Sequence, residues 1–277
     1  MIRKLTKLTS GYFKQSFEDR SDLSSNGPQK SLVKKHHRSF GRDETGSMSI
    51  RHRGSGVKKR FRIISSLEDF KGMKATVTDL QYDPFRTANI ALVELENGAK
   101  RYIIAPLDLK RGDVISLKES ENVKTGDRAQ LKNIPVGSLV HNIELTPGSK
   151  GSIARSAGTF ATLMAIEDKY ALLRMPSGEL RKVNQNCLAS AGQVSNIDHG
   201  NIKIGMAGRN RRKGIRPSVR GKAMNPNSHP HGGGEGVNPI GLKYPKTPWG
   251  KIAIGKKTRK NKNSDKLIVK SRADKKR

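Results

Sequence analysis

The sequence has few of the residues that build large hydrophobic cores or covalent frameworks. Of its 277 residues, 33% are hydrophobic, 5% are aromatic, and only Cys187 is a cysteine. The apolar share lies well below the roughly 45–50% that is typical of globular domains, so part of the chain must lie outside any packed core. A single cysteine excludes an internal disulfide framework and is typical of a reducing compartment.

Long apolar runs and acidic residues are also scarce. No run of about 18 apolar residues predicts a transmembrane helix, and no apolar segment near Met1 predicts a secretory signal, so we expect no membrane partner. The sequence has only 24 acidic residues but 55 lysines and arginines, which gives a formal net charge of +31. A charge of this size repels itself unless a polyanion neutralises it, and nucleic acid is the abundant polyanion of the cell.

The charge is unevenly distributed along the chain. Residues 1–63 have a net charge of +11 and residues 201–277 have +19, whereas residues 64–200 have only +1. We therefore predict a compact middle between a basic N-terminal extension (1–63) and a basic, Gly/Pro-rich C-terminal extension (201–277). Such extensions bury too little apolar area to offset their ordering entropy, so we expect them to be largely disordered until a charged partner orders them.

The middle of the chain alternates short β-rich runs with turn signals such as Asn97-Gly98 and Ser177-Gly178. Strands at this spacing predict small antiparallel barrels or sandwiches, and the absence of a sustained helical period predicts few, short helices. We predict a mainly β fold with two small domains, at 64–125 and 126–200. The predicted strands are Ala75–Tyr82, Asn89–Glu96, Arg101–Ala105, Val114–Leu117, Ser138–Leu145, Thr159–Ile166, Tyr170–Met175 and Glu179–Val183.

Clusters of basic residues in irregular, glycine-rich segments are the main binding candidates. A charge run is ordinarily a solvated face. Here, however, glycine lets the backbone approach a phosphate closely, and Arg and Lys then neutralise that phosphate. Irregular segments suit a folded RNA better than a DNA groove, which is read by a rigid helix or ribbon. The candidates are Arg51, His52, Arg53, Lys58, Lys59, Arg60, Arg209, Arg211, Arg212, Lys213, Arg216, Arg220, Lys256, Lys257 and Arg259.

Two isolated arginines of the nearly neutral middle are further candidates for RNA contact. Arg86 follows the turn Asp83-Pro84-Phe85, and Arg155 lies in a loop bounded by glycines. Loops at strand ends often present binding residues from a rigid scaffold. The alternative interpretation of each is an ordinary solvated arginine.

The segment Asn225–Gly236 contains two histidines, a glutamate and three consecutive glycines. One interpretation is a metal or acid–base site formed by His229, His231 and Glu235, but three local ligands make a weak metal set. We favour a rigid loop that contacts RNA through Asn225, His229 and His231, with imidazoles that donate to phosphate or stack on bases. We therefore expect no catalytic residue, no metal ligand and no cofactor, although structural Mg²⁺ of the RNA can lie nearby.

The stretch Gly250–Lys257 nearly matches a phosphate-binding P-loop. It fails at the last position, where Lys257 replaces the Ser or Thr that would hold Mg²⁺. The residues that follow are polar and do not predict the required helix. Nucleotide hydrolysis is therefore not predicted.

Several blocks of the sequence resemble, in order, the family of large ribosomal subunit protein two in its bacterial type. The resemblance extends from about residue 34 to residue 272 and implies an OB-like barrel followed by an SH3-like barrel, with long basic extensions that thread through rRNA. Ser228 departs from the family, which usually has Asp there. The main blocks are Asp83–Val93, Arg209–Pro226, His229–Gly236, Thr247–Gly250 and Gly255–Arg259.

The resemblance also implies a function. The chain would be a structural constituent of the large ribosomal subunit and a primary rRNA-binding protein in translation, supporting subunit assembly and association, tRNA binding and organisation of the peptidyl transferase region. Its partners would be large-subunit rRNA, neighbouring ribosomal proteins, the small subunit and, indirectly, tRNA, in cytoplasmic ribosomes. The loop with His229 would approach the peptidyl transferase centre, where RNA performs catalysis, so the chain is not expected to be an enzyme.

Two other classes of function fit part of the pattern. A DNA-packaging protein would suit the charge and would bind duplex DNA and rRNA equally well. A hydrolase or transferase built on the histidine loop would contain a stoichiometric metal. Met1–Phe17 is basic and free of acidic residues, which leaves a transit peptide and an organellar ribosome as an alternative to the cytoplasm.

Overall fold

The computed structural model describes residues 2–4, 15–65, 72–118, 123–235, 237–256 and 260–272. The chain divides into two compact units. Unit 1 comprises Met1–His37, Lys58–Ala207 and Ser264–Arg277, and unit 2 comprises Arg38–Val57 and Gly208–Asn263. This division is based on contacts in space, and each unit contains segments that are far apart in sequence. It does not test the domain boundaries predicted at residues 63, 125 and 200, which stay predictions.

Strands dominate the described residues, and helices there are few and short, so the predicted mainly β fold is confirmed. The strands in these residues are β1 (Ile2–Lys4), β2 (Ser16–Glu18), β3 (Val33–Lys35), β4 (Arg60–Arg62), β5 (Lys74–Gln81), β6 (Ile90–Leu95), β7 (Lys100–Ile104), β8 (Val114–Lys118), β9 (Arg128–Gln130), β10 (Leu139–His141), β11 (Ala161–Glu167), β12 (Tyr170–Arg174), β13 (Leu180–Asn184), β14 (Leu188–Ala191) and β15 (Ile268–Lys270). The helices are α1 (Ala207–Lys213) and the 3-10 helices Lys30–Leu32, Leu131–Asn133, Ile197–Asn201, Gly221–Ala223 and Asn263–Leu267. Within the described part of the chain, no helix is both long and apolar enough to cross a bilayer.

Strands β5–β15 form one sheet in unit 1, in the order β15-β13-β12-β11-β10-β14-β9-β8-β5-β6-β7. Its neighbours are antiparallel except β8 and β9, which are parallel. The register shifts within β5, between Val77 and Asp79, and within β11, between Leu163 and Ala165. Such bulges bend a strand and increase its twist, which lets a sheet curl into a barrel.

The predicted extensions are not wholly irregular. In the N-terminal extension, β1 pairs with β2 and β3 pairs with β4. In the C-terminal extension, β15 pairs with β13 and so joins the large sheet. The disorder of the free extensions in solution stays a prediction.

The described residues contain four hydrophobic clusters, and the two largest lie on successive sets of strands of the sheet. The first is formed by strands β5–β8, and its buried members are Ala75, Val77, Ala91, Val93, Leu95, Ile103, Ala105 and Ile115. The second is formed by β9–β14 and their connections, and its buried members are Ala129, Leu131, Ile134, Val140, Ile143, Ala161, Leu163, Ala171, Leu173, Met175, Val183, Cys187 and Ala189. Two clusters on successive sets of strands are consistent with an OB-like barrel followed by an SH3-like barrel. Burial raises the pKa of the Cys187 thiol to about 11, which makes it an inert core residue.

The second set of strands also encloses an ion pair. Arg128 Nη2 lies 2.6 Å from Glu144 Oε1, and the two side chains are only 2% and 0% exposed. Arg128 also donates to the Asn142 carbonyl oxygen at 2.9 Å, and Glu144 accepts from the Leu188 N–H at 3.1 Å. Both charges are thus hydrogen-bonded, as buried ions must be.

A buried histidine makes the stability of unit 1 depend on pH. His141 is 1% exposed and its Nδ1 lies 2.9 Å from the Gly192 carbonyl oxygen. Burial lowers its pKa to about 4, and repulsion by Arg128 adds to this effect. Because an unfolded histidine has a pKa of about 6.5, only the unfolded chain binds this proton between pH 6.5 and 4. The folded state is therefore favoured fully above pH 6.5 and loses about 3 kcal/mol as the pH falls to 4.

We expect His141→Gln to remove this dependence. The free energy of unfolding of the native protein should fall by about 2–3 kcal/mol more than that of the variant between pH 7 and pH 4.5. Denaturant unfolding at both pH values measures this difference, since the carboxylates that also titrate in this range are common to both proteins. Equal losses would contradict a buried neutral His141.

Candidate RNA-binding site

Unit 2 is strongly basic and is not held by an apolar core. It has 19 lysines and arginines but only 3 acidic residues. Among its described residues only Gly41, Gly214 and His229 are buried, and the hydrophobic clusters of the described chain all lie in unit 1. Its conformation must therefore depend largely on hydrogen bonds.

Two basic segments that are distant in sequence lie side by side in unit 2. Residues 52–57 run beside residues 212–216, a segment that begins within the last turn of α1 and continues past its end. Gly214 ends that helix with a φ of +88°, the left-handed conformation that glycine adopts readily. The backbone bonds run from Gly54 N–H to Gly214 O (2.8 Å), from Val57 N–H to Arg212 O (2.8 Å) and from Arg216 N–H to His52 O (3.1 Å). The structure thus brings together two clusters that the sequence shows only as separate runs.

Arg38 also holds the first of these segments. Its guanidinium donates to the carbonyl oxygens of Ser55 at 2.7 Å and Gly56 at 3.4 Å, and also to that of Val57. Sequence reasoning missed Arg38, because it lies 17 residues before Ser55 and no local pattern links the two. By holding three successive carbonyl groups, it makes the glycine-rich segment a defined loop.

A cavity of about 340 Å³ lies between the two segments of unit 2. Three of its lining residues are arginines and none is acidic; the lining residues are Gly54, Ser55, Gly56, Val57, Arg211, Arg212, Ile215 and Arg216. Guanidinium groups bind phosphate with two parallel hydrogen bonds, and glycine leaves room for the phosphate to reach the backbone. The chemistry of this cavity therefore suits a phosphate of a nucleic acid.

The histidine loop forms a hydrogen-bonded chain of its own. The His231 N–H donates to His229 Nδ1 at 3.0 Å, and the Lys246 N–H donates to His231 Nε2 at 2.8 Å. The two rings lie 4.8 Å apart. A ring nitrogen that accepts a hydrogen bond is unprotonated, so the bond from Lys246 favours the neutral form of His231. Desolvation, with repulsion by His229 and two lysines, lowers the pKa of His231 in agreement with this.

His229 also packs against the backbone of unit 2. It is 8% exposed, and a Cβ added at Gly221 would lie 2.5 Å from its ring. The Asn225 carbonyl oxygen accepts from the N–H groups of Ser228 at 2.9 Å and His229 at 3.3 Å, which closes the turn. Glu235 is exposed, and the described residues contain no group of three or more His, Cys, Asp or Glu side chains that could hold a metal ion. The closed turn and the packed His229 ring give the loop a defined backbone, and the absence of a metal ligand set stays a prediction.

Arg86, predicted to contact RNA, is held by neighbouring residues of unit 1. Its guanidinium donates to the buried carboxylate of Asp83 and, at 3.3 Å, to the Arg62 carbonyl oxygen. It also lies 5.1 Å from the centroid of the Phe61 ring, and Lys59 donates to the Pro84 carbonyl oxygen at 3.2 Å. Arg86 and Lys59 thus fasten the turn at residues 83–86.

Arg155 is half-buried in unit 1. It donates to the Gly151 carbonyl oxygen at 2.6 Å, four residues earlier in its loop. Burial lowers its pKa, and repulsion by Arg86 and Arg128 lowers it further.

Two models of one protein family match the chain. "Ribosomal Proteins L2, RNA binding N-terminal domain" matches residues 29–117, and "Ribosomal Proteins L2, C-terminal domain" matches residues 124–250. The chain belongs to the ribosomal protein L2 family. It is therefore an RNA-binding protein of the large ribosomal subunit, and the family predicted from the sequence is confirmed.

The two L2 domain matches include most of the predicted RNA-contacting residues. The N-terminal match contains the predicted residues from Arg51 to Arg86. The C-terminal match contains Arg155, the predicted residues from Arg209 to Arg220 and the histidine loop. Lys59, Arg209 and His231 are partly buried, and Lys257 and Arg259 lie outside the described residues. The exposed candidates are Arg51, His52, Arg53, Lys58, Arg60, Arg211, Arg212, Lys213, Arg216, Arg220, Asn225 and Lys256. Their contacts with RNA in this L2 family member stay predictions.

The close approach of the two segments in this L2 protein depends on Gly56. Its φ is +59°, and an added Cβ would lie 2.7 Å from the Arg212 carbonyl oxygen and 2.8 Å from the Gly214 nitrogen. We expect Gly56→Ala to lower the local free energy of opening by about 2–4 kcal/mol, from left-handed strain and overpacking together. Faster hydrogen exchange of the Gly54 and Val57 amides measures the effect.

Gly46→Ala is the matched control in the same segment of unit 2. Gly46 has a φ of +83° but nothing within 4 Å of an added Cβ. It therefore experiences the strain alone, about 1–2 kcal/mol, and the Gly54 and Val57 amides should keep their protection. Equal loss of protection in both variants would contradict the role of close packing at Gly56.

Proposed function

We propose that this L2 family member is a primary rRNA-binding protein that supports assembly of the large subunit, its association with the small subunit, tRNA binding and organisation of the peptidyl transferase region. The observation that supports this most is the pairing of residues 52–57 with residues 212–216 around the arginine-lined cavity. Cations on a fixed backbone can select one arrangement of phosphates. Cations on a loose tail cannot.

The proposed mechanism is electrostatic and conformational. Phosphates crowd together where RNA helices meet, and the arginines of unit 2 neutralise them there. Because unit 2 lacks an apolar core among its described residues, RNA contacts should supply much of its stability, and binding should protect it from unfolding. Catalysis of peptide bond formation is left to the RNA.

The proposed partners follow from the same mechanism. They are large-subunit rRNA, neighbouring ribosomal proteins, the small subunit and, indirectly, tRNA. We propose that the protein works in cytoplasmic ribosomes without a cofactor of its own, next to Mg²⁺ ions that the rRNA holds.

Crosslinking in a cell extract tests the RNA contact. The full chain is irradiated in the extract, the bound nucleic acid is sequenced and the crosslinked residues are mapped. We expect large-subunit rRNA, with crosslinks concentrated in residues 51–60 and 209–231. Genomic DNA, or mixed mRNA without enrichment of rRNA, would contradict the proposal.

Depletion of the protein in cells tests the roles in assembly and association. We expect sucrose gradients to show incomplete large subunits and fewer joined ribosomes. Unchanged gradients after depletion would contradict these roles while leaving RNA binding intact.

A further inference from the structure

A short hairpin in unit 2 holds an exposed tryptophan at its tip. Lys246 pairs with Ile252, the Thr247 N–H donates to Lys251 O at 2.7 Å, and the Gly250 N–H donates to Thr247 O at 2.9 Å. Trp249, between Pro248 and Gly250, is 72% exposed. Tryptophan is a residue type that is highly buried on average. Because this turn holds most of the indole ring in solvent, we expect the ring to contact a binding partner.

The indole is supported by charge and by the histidine loop. The guanidinium carbon of Arg51 lies 5.1 Å from the ring centroid, within the range of a cation–π contact. The base of the hairpin is tied down, since the Lys246 N–H donates to His231 Nε2 at 2.8 Å and the Ala253 N–H donates to Pro245 O at 2.8 Å. The backbone that carries the ring is thus fixed before any ligand arrives, and Arg51 lies beside the ring.

We propose that Trp249 stacks on an unpaired base of the rRNA, with Arg51 supporting the ring and neutralising a nearby phosphate. The inference rests on the proposed function and assigns one part of it to a specific pair of side chains. Unpaired RNA bases stack on aromatic rings and on guanidinium planes, and all four bases can stack because each has a flat π-face. The exposed cations Arg51, Lys251 and Lys256 in this part of unit 2 favour a polyanion over an apolar protein surface.

The single tryptophan of the chain allows a direct test without any substitution. Selective excitation of Trp249 in the full chain reports only this ring. We expect a short single-stranded oligoadenylate to quench its fluorescence strongly on binding, and an RNA duplex of equal length to quench it much less. Binding of the oligoadenylate without quenching would overturn the inference.

Substitutions measure the contribution of the ring to affinity. Trp249→Leu should weaken oligoadenylate binding by roughly 5- to 100-fold, the range expected for one stacked base, and Trp249→Phe should lie between the variant and the native protein. Ile254→Ala is the matched control, since Ile254 is 71% exposed in the same stretch but has no stacking face. Equal weakening by Trp249→Leu and Ile254→Ala would overturn the inference in favour of a general apolar contact.

Binding to full-length large-subunit rRNA separates this inference from the function on which it rests. If the native chain and Trp249→Leu bind that rRNA equally tightly, and binding leaves the fluorescence of Trp249 in the native chain unchanged, the stacking is wrong and the proposed function stands. If the native chain does not bind the rRNA, both are wrong. Unchanged hydrogen exchange at Gly54 and Val57 in Trp249→Leu verifies that unit 2 remains folded.

Discussion

Raising the KCl concentration from 50 to 200 mM is expected to weaken binding of the full chain to large-subunit rRNA by roughly 10³–10⁵-fold, the effect of about 6–10 phosphate contacts. Each neutralised phosphate releases condensed counterions, and added salt makes that release less favourable. The exposed arginines of unit 2 are numerous enough for this range. Filter binding at several salt concentrations gives the slope of log affinity against log salt. A flat response would contradict the electrostatic mechanism.

A double substitution tests which residues cause part of this salt dependence. Arg211→Gln with Arg212→Gln removes two cations that line the cavity of unit 2, and should reduce the slope by about 0.7–0.9 for each phosphate that these cations neutralise in the native protein. Lys100→Gln is the control, because its Nζ lies 3.7 Å from Glu94 and its charge is already paired. We expect its slope to equal that of the native protein. Equal slopes in all three proteins would place the phosphate-binding residues elsewhere.

Arg128→Met is expected to destabilise unit 1 by about 3–5 kcal/mol, the usual effect of removing one member of a buried ion pair. The substitution leaves the Glu144 carboxylate, which is 0% exposed, without its counterion. Methionine fills much of the volume of the arginine stem, so lost charge and not lost packing dominates. Denaturant unfolding of the native and variant proteins measures the difference.

Removing both charges should restore much of this stability. In the double variant Arg128→Met with Glu144→Leu no buried charge remains, and we expect a residual loss of only about 1–3 kcal/mol from the Leu188 N–H and the Asn142 carbonyl group. Lys100→Met, which breaks a pair that is 42% and 40% exposed, should lower stability by less than about 1 kcal/mol. A double variant as unstable as Arg128→Met would show that packing, not charge, is lost.

The strands that alternation predicts are present, and the departures have local causes. Ser138–Leu145 was predicted as one strand, but β10 ends at His141 because Asn142 adopts a left-handed φ of +49°. The strands β9 and β14 were not predicted. Their buried residues include Ala129, Ala189 and Ala191, which have low strand propensity and are placed in the sheet by packing. Arg128 in β9 is buried because of Glu144, a partner that no local pattern indicates.

Composition predicted the basic clusters of the candidate site but not their arrangement. Arginine and glycine content indicated residues 51–53 and 209–216 separately, whereas the bond between Gly54 and Gly214 spans 160 residues and leaves no trace in a local pattern. Arg86 lies in a nearly neutral region of the sequence, which by itself predicts a spare charge there. Asp83, three residues before it, holds that charge, and this short spacing is a signal that the sequence contains.

Unit 2 is built from two segments that are far apart in sequence, and this constrains the order in which the parts of the chain fold. Arg38–Val57 leaves the ribosome early in synthesis, but its hydrogen-bonding partners at Arg212 and Gly214 follow only after all of Lys58–Ala207 has been made. Closing so long a loop of open chain costs entropy, and contacts of this sequence separation form slowly. Collapse of the intervening segment into its barrels shortens that loop, so we expect the barrels to form first. During most of translation, the basic segment Arg38–Val57 therefore lacks its hydrogen-bonding partners and keeps its exposed positive charge. RNA or a chaperone that binds the nascent chain binds this segment in its unpaired state.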